Sequence, residues 1–281
     1  MRLIRSIKEI RKLTATLKQQ GKRIGFVPTM GYLHAGHLSL ARRSKQECDV
    51  TIVSIFVNPL QFGPKEDFKK YPRDLKKDLK TAKEAGVDYI LFPTDKQMYP
   101  QGYLTEVCVD KITKTLCGAA RPGHFKGVTT VVAKLFNIVG PDIGYFGQKD
   151  AQQAVVIKRM VRDLNMPLKI KVLPIVRESG GLAMSSRNRY LGRQERQDAL
   201  ILYRALQKAR DMVKRGERNS RRIIVEMRKL IKKVDSARID YIRIVDAKDL
   251  SEKKKISGRA LIALAVFIGK VRLIDNLILK V

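Results

Sequence analysis

All three histidines of this sequence lie in two short segments that also contain glycine. His34 and His37 belong to PTMGYLHAGH (residues 28–37), and His124 belongs to RPGHFKG (residues 121–127). The first segment follows an apolar run and opens a helical pattern, which is where α/β sheets usually bind ligands. Its glycines allow close backbone approach, and the N–H groups at a helix start attract phosphate. The pattern predicts a phosphate-binding loop in which imidazoles neutralise charge on phosphorus; a turn with exposed histidines is the alternative.

Two later segments carry groups of the kind that bind nucleotides. GYFGQKD (residues 144–150) again joins a strand to a helix, so Lys149 can reach a phosphate and Asp150 can cap the helix or accept a ribose hydroxyl. GGLAMSSRN (residues 180–188) places hydroxyls and a guanidinium on one loop, which can follow the charge of a triphosphate. The alternative for the first segment is an ordinary helix cap, and the alternative for the second is a polar linker.

Neutral amides follow another predicted strand, in SIFVNPLQFG (residues 54–63). Asn58 and Gln61 can orient a small hydroxy acid by hydrogen bonds without adding charge to its pocket. This segment therefore predicts the binding of a second, non-nucleotide substrate.

The elements that must hold these segments follow from hydrophobic spacing. Up to about residue 176, helical patterns alternate with short apolar runs, which predicts a parallel sheet with helices on both faces. The predicted helices cover residues 7–20, 37–48, 75–85, 128–139 and 150–164. The predicted strands cover residues 23–28, 50–57, 87–92, 142–146 and 170–176.

The pattern changes in the remainder of the chain. Two long basic helices are predicted at residues 194–214 and 220–234, and three strands at residues 240–245, 260–268 and 271–279. Helices followed by consecutive strands predict a small α+β domain. We therefore expect two domains, residues 1–175 and residues 176–281.

Composition limits the function classes. The apolar run at residues 260–269 is too short to cross a membrane as a helix, and no apolar signal region follows the first residues. The three cysteines show no metal-ligand spacing, so a reduced, cytoplasmic location is expected. The formal charge of +31 attracts polyanions, but it is spread along the chain without a basic tail. We interpret this charge as a lysine-rich surface exposed to solvent. The alternative interpretation is that the protein binds a polyanion.

Together these segments resemble the bacterial pantothenate synthetase family, part of the HIGH-motif nucleotidyltransferase superfamily. The matching stretches are PTMGYLHAGH, SIFVNPLQFGPKEDFKKYPR, RPGHFKGVTTVVAKLFNIVGPDIGYFGQKDAQQ and GLAMSSRNRYL, with DYIRIVDAKDL and GKVRLIDN near the end of the sequence. Each piece alone is short, but their joint order is specific and spans nearly the whole chain.

The resemblance implies a fold and an activity. It implies a Rossmann-like N-terminal domain of parallel strands and a smaller α+β C-terminal lid domain that carries the KMSKS-like loop at its start. It implies condensation of pantoate with β-alanine to pantothenate, in which ATP forms a pantoyl-adenylate and AMP and pyrophosphate are released. It also implies a homodimer formed through the N-terminal domain, and Mg²⁺ bound mainly by the triphosphate. Neither a membrane nor nucleic acid is expected as a partner.

The resemblance also implies roles for individual residues. His34, His37 and Lys149 would be catalytic, at the ATP phosphates. Gln61, Gln153 and Asn58 would bind substrate, with Gln61 also bordering the β-alanine position, and Asp78 would be a protein contact to Mg²⁺. The residues expected to contact ATP are Met30, Gly31, Tyr32, Leu33, His34, Ala35, Gly36, His37, Gly147, Gln148, Lys149, Asp150, Val176, Met184, Ser185, Ser186 and Arg187.

One position departs from the family pattern. Such enzymes usually carry an acidic residue directly before Gly-Leu-Ala, and this sequence has Gly180 there. The departure concerns how the following loop is anchored rather than its phosphate contacts.

Two other functions would account for part of the sequence. Another adenylyltransferase of the superfamily would share the two histidines and the serine-rich loop, but Asn58, Gln61 and Gln153 favour the pantothenate synthetase pattern. A basic nucleic-acid-binding protein would use the charge, but it would leave the placement of glycine and histidine unexplained.

Overall fold

The structure, a computed structural model, describes residues 1–64 and 66–281. These residues form two compact units, each assembled from several stretches of the chain. The first unit comprises Met1–Asp110, Arg121–Gly147 and Val156–Pro174, and the second comprises Lys111–Ala120, Gln148–Val155 and Ile175–Val281. Within the described residues, no helix is long and apolar enough to cross a membrane.

A six-stranded parallel sheet forms the centre of the first unit. Its strands are β1 (Arg2–Ile4), β2 (Ile24–Thr29), β3 (Val50–Ile55), β4 (Tyr89–Leu91), β5 (Ile143–Gly147) and β6 (Lys169–Leu173). They lie in the order β1-β4-β3-β2-β5-β6, so β2 has β3 on one side and β5 on the other. The strand order therefore reverses between β2 and β5, and ligands of α/β sheets usually bind beyond the carboxyl ends of strands at such a point.

Helices connect these strands. They are α1 (Ile7–Gln19), α2 (Ala35–Glu47), α3 (Leu75–Glu84), α4 (Asp95–Met98), α5 (Leu116–Ala120), α6 (His124–Val139) and α7 (Ala151–Asp163). Helix α5 and residues 151–155 of α7 belong to the second unit.

The central strands are apolar because both of their faces are covered. Every residue of β3 is buried, and five of the six residues of β2 are buried as well. Such continuous apolar runs are typical of parallel sheets. Gly25 in β2 lets α2 approach closely, since a Cβ atom there would lie 2.1 Å from Ser44 Oγ. Ser44 Oγ and Thr51 Oγ1 lie 2.8 Å apart, which ties α2 to β3.

The second unit joins helices to an antiparallel sheet. Its further helices are α8 (Arg193–Asp198), α9 (Leu200–Lys214) and α10 (Ser220–Ile231), and its strands are β7 (Ala237–Asp246), β8 (Arg259–Ile268) and β9 (Val271–Lys280), in the order β7-β8-β9. Alternate residues of β8 pack into different clusters. Ile262 and Leu264 join the cluster that includes α9 and α10, whereas Leu261 and Ala263 join one that includes Leu116 of α5.

These observations confirm the predicted fold class, a Rossmann-like parallel sheet with a smaller α+β part. The main differences concern one predicted helix, one predicted strand and one strand that was not predicted. The helix expected over residues 194–214 is two helices that meet at Ala199, where neither glycine nor proline signals a break. The strand expected to reach residue 176 ends at Leu173, and the short edge strand β1 was not predicted.

Candidate active site

The segment after β2, residues 30–37, is the predicted phosphate-binding segment and is called the phosphate loop. Helix α2 begins within it, and His34 caps the helix: its Nδ1 accepts the N–H of Gly36 at 3.1 Å. Nδ1 of His37 accepts the N–H of His34 at 3.4 Å, and the two rings are stacked with centroids 4.1 Å apart. Because both Nδ1 atoms accept, a neutral ring carries its hydrogen on Nε2. The loop therefore places two imidazole rings beside a helix start.

The backbone of the phosphate loop is in the left-handed region at two consecutive residues. Gly31 has φ 82° and Tyr32 has φ 51°. A side chain at position 31 would also be crowded, since its Cβ atom would lie 2.9 Å from Ile55 Cγ2 and 3.0 Å from Asp78 Oδ2. Glycine is therefore required at position 31, and the conformation of Tyr32 needs support from outside the loop.

Asp78 of α3 supplies that support. Its carboxylate is 1% exposed and accepts the N–H of Tyr32 at 2.8 Å and the N–H of Leu33 at 2.6 Å. Burial raises the pKa of the Asp78 carboxyl, and the two N–H groups offset this only in part. The carboxylate thus fixes the backbone on the side of the loop that follows Gly31.

The hydrogen bonds of Asp78 also limit how this residue could bind a magnesium ion. Within residues 1–64 and 66–281, no group of three or more acidic, histidine or cysteine side chains is arranged to hold a metal ion. Both oxygens of Asp78 already accept hydrogen bonds from the backbone. A magnesium cage made by protein side chains alone therefore does not fit the described residues, and metal contact by Asp78 stays a prediction.

The side-chain amides of Asn58 and Gln61 form hydrogen bonds with each other, with the Tyr99 hydroxyl and with the Gly127 carbonyl. These four residues are called the amide cluster. Asn58 caps the short 3-10 helix Pro59–Gln61, and its Oδ1 accepts the N–H of Leu60 at 3.3 Å and the hydroxyl of Tyr99 at 2.7 Å. Its Nδ2 donates to the Gly127 carbonyl at 3.0 Å and to Gln61 Oε1 at 3.2 Å. Both amide hydrogens of Asn58 are therefore used inside the protein.

Gln61 connects the amide cluster to the phosphate loop. Its Nε2 donates to Sδ of Met30, the first residue of the loop, at 3.0 Å. A thioether sulfur is a weak acceptor. The structure thus brings three predicted site residues, Met30, Asn58 and Gln61, into one connected group.

The backbone of Gln61 is held by a basic cluster. Arg121 donates Nε and one terminal nitrogen to the two oxygens of Glu66, both at 2.6 Å. The Gln61 carbonyl accepts from Arg121 at 3.3 Å and from Nδ1 of His124 at 2.8 Å, and Nε2 of His124 lies 3.0 Å from the second terminal nitrogen of Arg121. Burial acts to raise the pKa of Glu66, but Arg121 outweighs it and holds that pKa below its ordinary value.

Lys149 lies in the turn that follows β5. Its Nζ donates to Asp150 Oδ1 at 3.1 Å. In the second unit, Nδ2 of Asn276 in β9 donates to the carbonyls of Gln148 and Lys149, each at 2.9 Å, and Nε2 of Gln148 donates to Asn276 Oδ1 at 3.0 Å. The side chain of Asn276 therefore fixes the backbone that carries Lys149.

The serine loop, residues 184–188, is anchored by Glu178. Oε1 of Glu178 accepts from Nδ2 of Asn188 at 2.9 Å, and Oε2 pairs with Arg196 at 2.5 Å. At the start of the loop, the N–H of Met184 donates to the carbonyl of Val176 at 3.0 Å. Glu178, two residues before Gly180, therefore supplies a carboxylate that anchors the loop.

Nearly the whole chain, from β1 into β9, matches one protein family. A family model described as Pantoate-beta-alanine ligase matches residues 2–278. The chain belongs to this family. Membership in the pantoate–β-alanine ligase family confirms the resemblance seen in the sequence and the predicted enzyme class, a ligase.

Individual relatives are similar over their full lengths. The pantothenate synthetase of Moorella thermoacetica is 57% identical over 281 residues, which cover 100% of this chain and 99% of that protein. The pantothenate synthetase of Thermus thermophilus has a crystal structure with a TM-score of 0.94 at 44% identity, covering 99% of both chains. The pantoate-β-alanine ligase of Francisella tularensis, complexed with β,γ ATP and β-alanine, has a TM-score of 0.80 at 37% identity, covering 99% of this chain and 97% of that one.

Other residues that the ligase resemblance singles out lie in the second unit. Gln153 is half-buried in the first turn of α7, and Val176 is half-buried where its carbonyl accepts from Met184. Ser185 caps the 3-10 helix Ser186–Tyr190, because its hydroxyl accepts the N–H of Arg187 at 3.3 Å. Their roles toward ATP and pantoate stay predictions.

Several residues that hold the predicted site residues in place were not themselves predicted from the sequence. Tyr99 lies 41 residues from Asn58, and Glu66 lies 55 residues from Arg121. Asn276 lies 128 residues from Gln148. A tyrosine, a glutamate or an asparagine alone carries no signal of such pairing, so these contacts emerge only from the fold.

Proposed function

We propose that the chain joins pantoate to β-alanine at the expense of ATP, with pantoyl-adenylate as the intermediate. The observation that carries this proposal is the phosphate loop, where two stacked imidazoles lie at one helix start in a member of the pantoate–β-alanine ligase family. The Francisella relative, complexed with β,γ ATP and β-alanine, supports both the nucleotide and the amine substrate.

The reaction has two transfers. A carboxylate oxygen of pantoate attacks the α-phosphorus of ATP, a P–O bond forms, and pyrophosphate leaves with the electrons of the broken P–O bond. The amine of β-alanine then attacks the acyl carbon, loses a proton and displaces AMP. Neither transfer needs a covalent bond to the protein, so the chain acts by positioning and by neutralising charge.

The phosphate loop supplies the charge neutralisation in this proposal. The Nε2–H groups of His34 and His37 donate to phosphate oxygens, and the N–H groups at the start of α2 add a positive dipole. Lys149 contributes a full positive charge. Family membership suggests further contacts to ATP. They are made by the backbone of residues 30–37, the turn at residues 147–150, Val176 and residues 184–187.

The pantoate side of the reaction is assigned to amides. Gln61 and Gln153 hold pantoate, and Gln61 also borders the β-alanine position. Asn58, predicted as a substrate contact, uses both of its amide hydrogens on Gln61 and Gly127. Its contribution to pantoate binding is therefore the orientation of Gln61. Mg²⁺ enters with the triphosphate of ATP, and we propose a homodimer and a cytoplasmic location on the strength of family membership.

Pyrophosphate release from ATP and Mg²⁺ tests the proposal directly. The purified chain should release pyrophosphate only when pantoate is present, and AMP and pantothenate should accumulate once β-alanine is added. Release driven by another acid, with pantoate inactive, would refute the substrate assignment while leaving adenylate chemistry in place. No release with any acid would refute the proposed activity.

A further inference from the structure

Tyr99 has no place in the proposed chemistry, yet its hydroxyl is built into the amide cluster. The hydroxyl donates to Asn58 Oδ1 at 2.7 Å. Its ring packs against Phe56 and Tyr103, with centroids 6.1 Å and 5.1 Å away. Burial raises the pKa of Tyr99, so the phenol keeps its proton and remains a donor.

The orientation of the Asn58 amide is fixed by backbone groups of known polarity. The Gly127 carbonyl can only accept, so the Asn58 atom 3.0 Å from it must be Nδ2. The N–H of Leu60 can only donate, so the Asn58 atom 3.3 Å from it must be Oδ1. The Tyr99 hydroxyl adds a second donor on the same oxygen and opposes reversal of the amide.

The orientation of Asn58 in turn fixes that of Gln61. Nδ2 of Asn58 carries a hydrogen toward Gln61, so the Gln61 atom 3.2 Å away must be the acceptor Oε1. Nε2 of Gln61 consequently points at Met30 Sδ, 3.0 Å away. Because sulfur accepts weakly, a carboxylate or hydroxyl oxygen of a ligand beside the phosphate loop would be a better partner for this N–H.

We propose that Tyr99 is a positioning residue, which acts through Asn58 to keep the Nε2–H of Gln61 as the donor to an oxygen of the acid substrate. The inference rests on the proposed function, because it takes the acid bound at Gln61 to be the one that is adenylated. It assigns Gln61 the role of hydrogen-bond donor, and it assigns Tyr99 and Asn58 to orientation of that donor.

The test compares Tyr99→Phe with Tyr103→Phe. Both variants keep an aromatic ring in the same packed group and lose one phenol hydroxyl, but only the first loses a hydrogen bond to Asn58. The KM for pantoate should rise about three- to tenfold in Tyr99→Phe, the value of one buried hydrogen bond, and stay unchanged in Tyr103→Phe. The KM for ATP should stay unchanged in both variants. A general loss of stability would change the KM values for both substrates, so an effect on pantoate alone distinguishes the positioning role.

Gln61→Glu tests the polarity of the contact. The glutamate can still accept from Asn58, but at neutral pH it has no hydrogen to donate to the acid, so we expect the KM for pantoate to rise by at least about tenfold. A thermal melt of each variant identifies any failure to fold. Should a variant not fold, pantoate binding is read from Asn58→Asp, which keeps an oxygen where Tyr99 donates but has no amide hydrogen for Gly127 or Gln61. The KM for pantoate should then rise, and an unchanged KM would overturn the inference.

The outcomes separate this inference from the proposed function. An equal rise in KM for ATP and pantoate in Tyr99→Phe, or no rise for pantoate, would overturn the role of Tyr99. A Gln61→Glu variant with normal KM for pantoate would overturn the donor assignment. Failure of the wild-type chain to use pantoate would refute the proposed function instead, and the same comparison made with the acid that it does use would then test the positioning role.

Discussion

The carboxylate of Asp78 accepts the N–H of Leu33 at 2.6 Å across a separation of 45 residues. It also accepts the N–H of Tyr32, whose φ of 51° lies in the left-handed region. That conformation costs a non-glycine residue about 1–2 kcal/mol. The two hydrogen bonds offset this cost, so a carboxylate on α3 sets the backbone conformation of a loop that is distant in sequence.

Replacement of Asp78 should therefore impair ATP use. In Asp78→Asn only one oxygen remains, so one of the two loop N–H groups loses its acceptor and the loop shifts. We expect kcat/KM for ATP to fall by about 10²-fold, the usual consequence of misplacing reacting groups by about an ångström. Steady-state kinetics with ATP as the varied substrate provide the measurement.

Asp74→Asn is the matched control for this variant. Asp74 caps the same helix by accepting the N–H of Lys77 at 3.0 Å, and asparagine caps helices as well as aspartate does. Kinetics of Asp74→Asn should stay near those of the wild type. Recovery of Asp78→Asn activity with excess Mg²⁺ would favour metal contact over the backbone role, and unchanged kcat/KM would contradict both.

Loss of a phosphate-neutralising group should slow chemistry more than it weakens binding. His37→Ala and Lys149→Ala should each lower kcat by about 10²–10³-fold, the scale seen when one preorganised donor is removed. Pyrophosphate release in a single turnover isolates the adenylation step. Lys45→Ala serves as the control, because Lys45 pairs with Asp88 at the surface and its loss should leave kcat unchanged. Near-normal turnover in either variant would remove that residue from the mechanism.

The ion pair of Glu66 with Arg121 should make stability depend on pH. The folded-state pKa of Glu66 lies below its ordinary value of 4.5, so the pair stabilises the fold above that value and the contribution is lost as pH falls through the folded pKa. Glu66→Gln should lower the free energy of unfolding by about 1–2 kcal/mol at pH 7 and by less in acid. Denaturant unfolding between pH 3 and 7 provides the measurement.

Glu9→Gln is the control for the pH experiment. Glu9 pairs with Arg2 on the surface, where the side chains are 41% and 64% exposed, so its loss should change stability little at any pH. A Glu66→Gln variant whose stability differs from that of the wild type by the same amount at pH 3 and pH 7 would contradict the assignment.

The sequence predicted the parts of the site that lie within single segments. The phosphate loop could be identified because Gly31, His34 and His37 share one strand–helix junction, and the fold class followed from alternating apolar and helical patterns. The supporting contacts could not be predicted in this way. Asp78 resembles any acidic residue in the first turn of a helix, and its two bonds to the phosphate loop exist only because α3 packs into the same apolar cluster as β2 and β3.

Gly127 on α6 should be sensitive to the smallest possible side chain. A Cβ atom there would lie 2.2 Å from the carbonyl oxygen of Leu60 and 2.6 Å from the backbone nitrogen of Gln61. Both contacts are with backbone, so the amide cluster itself would have to move. We expect Gly127→Ala to destabilise the fold by about 1–3 kcal/mol, as overpacking does, and to raise the KM for pantoate.

Gly123 separates this steric effect from backbone strain. It precedes the same helix with φ 81°, and a Cβ atom there would meet nothing within 4 Å. Gly123→Ala should therefore cost about 1–2 kcal/mol of stability from its conformation alone and leave the KM for pantoate unchanged. Thermal melts of the two variants measure the loss of stability, and steady-state kinetics measure the KM for pantoate. If Gly127→Ala bound pantoate as tightly as Gly123→Ala does, close contact between α6 and the 3-10 helix Pro59–Gln61 would not be what positions Gln61.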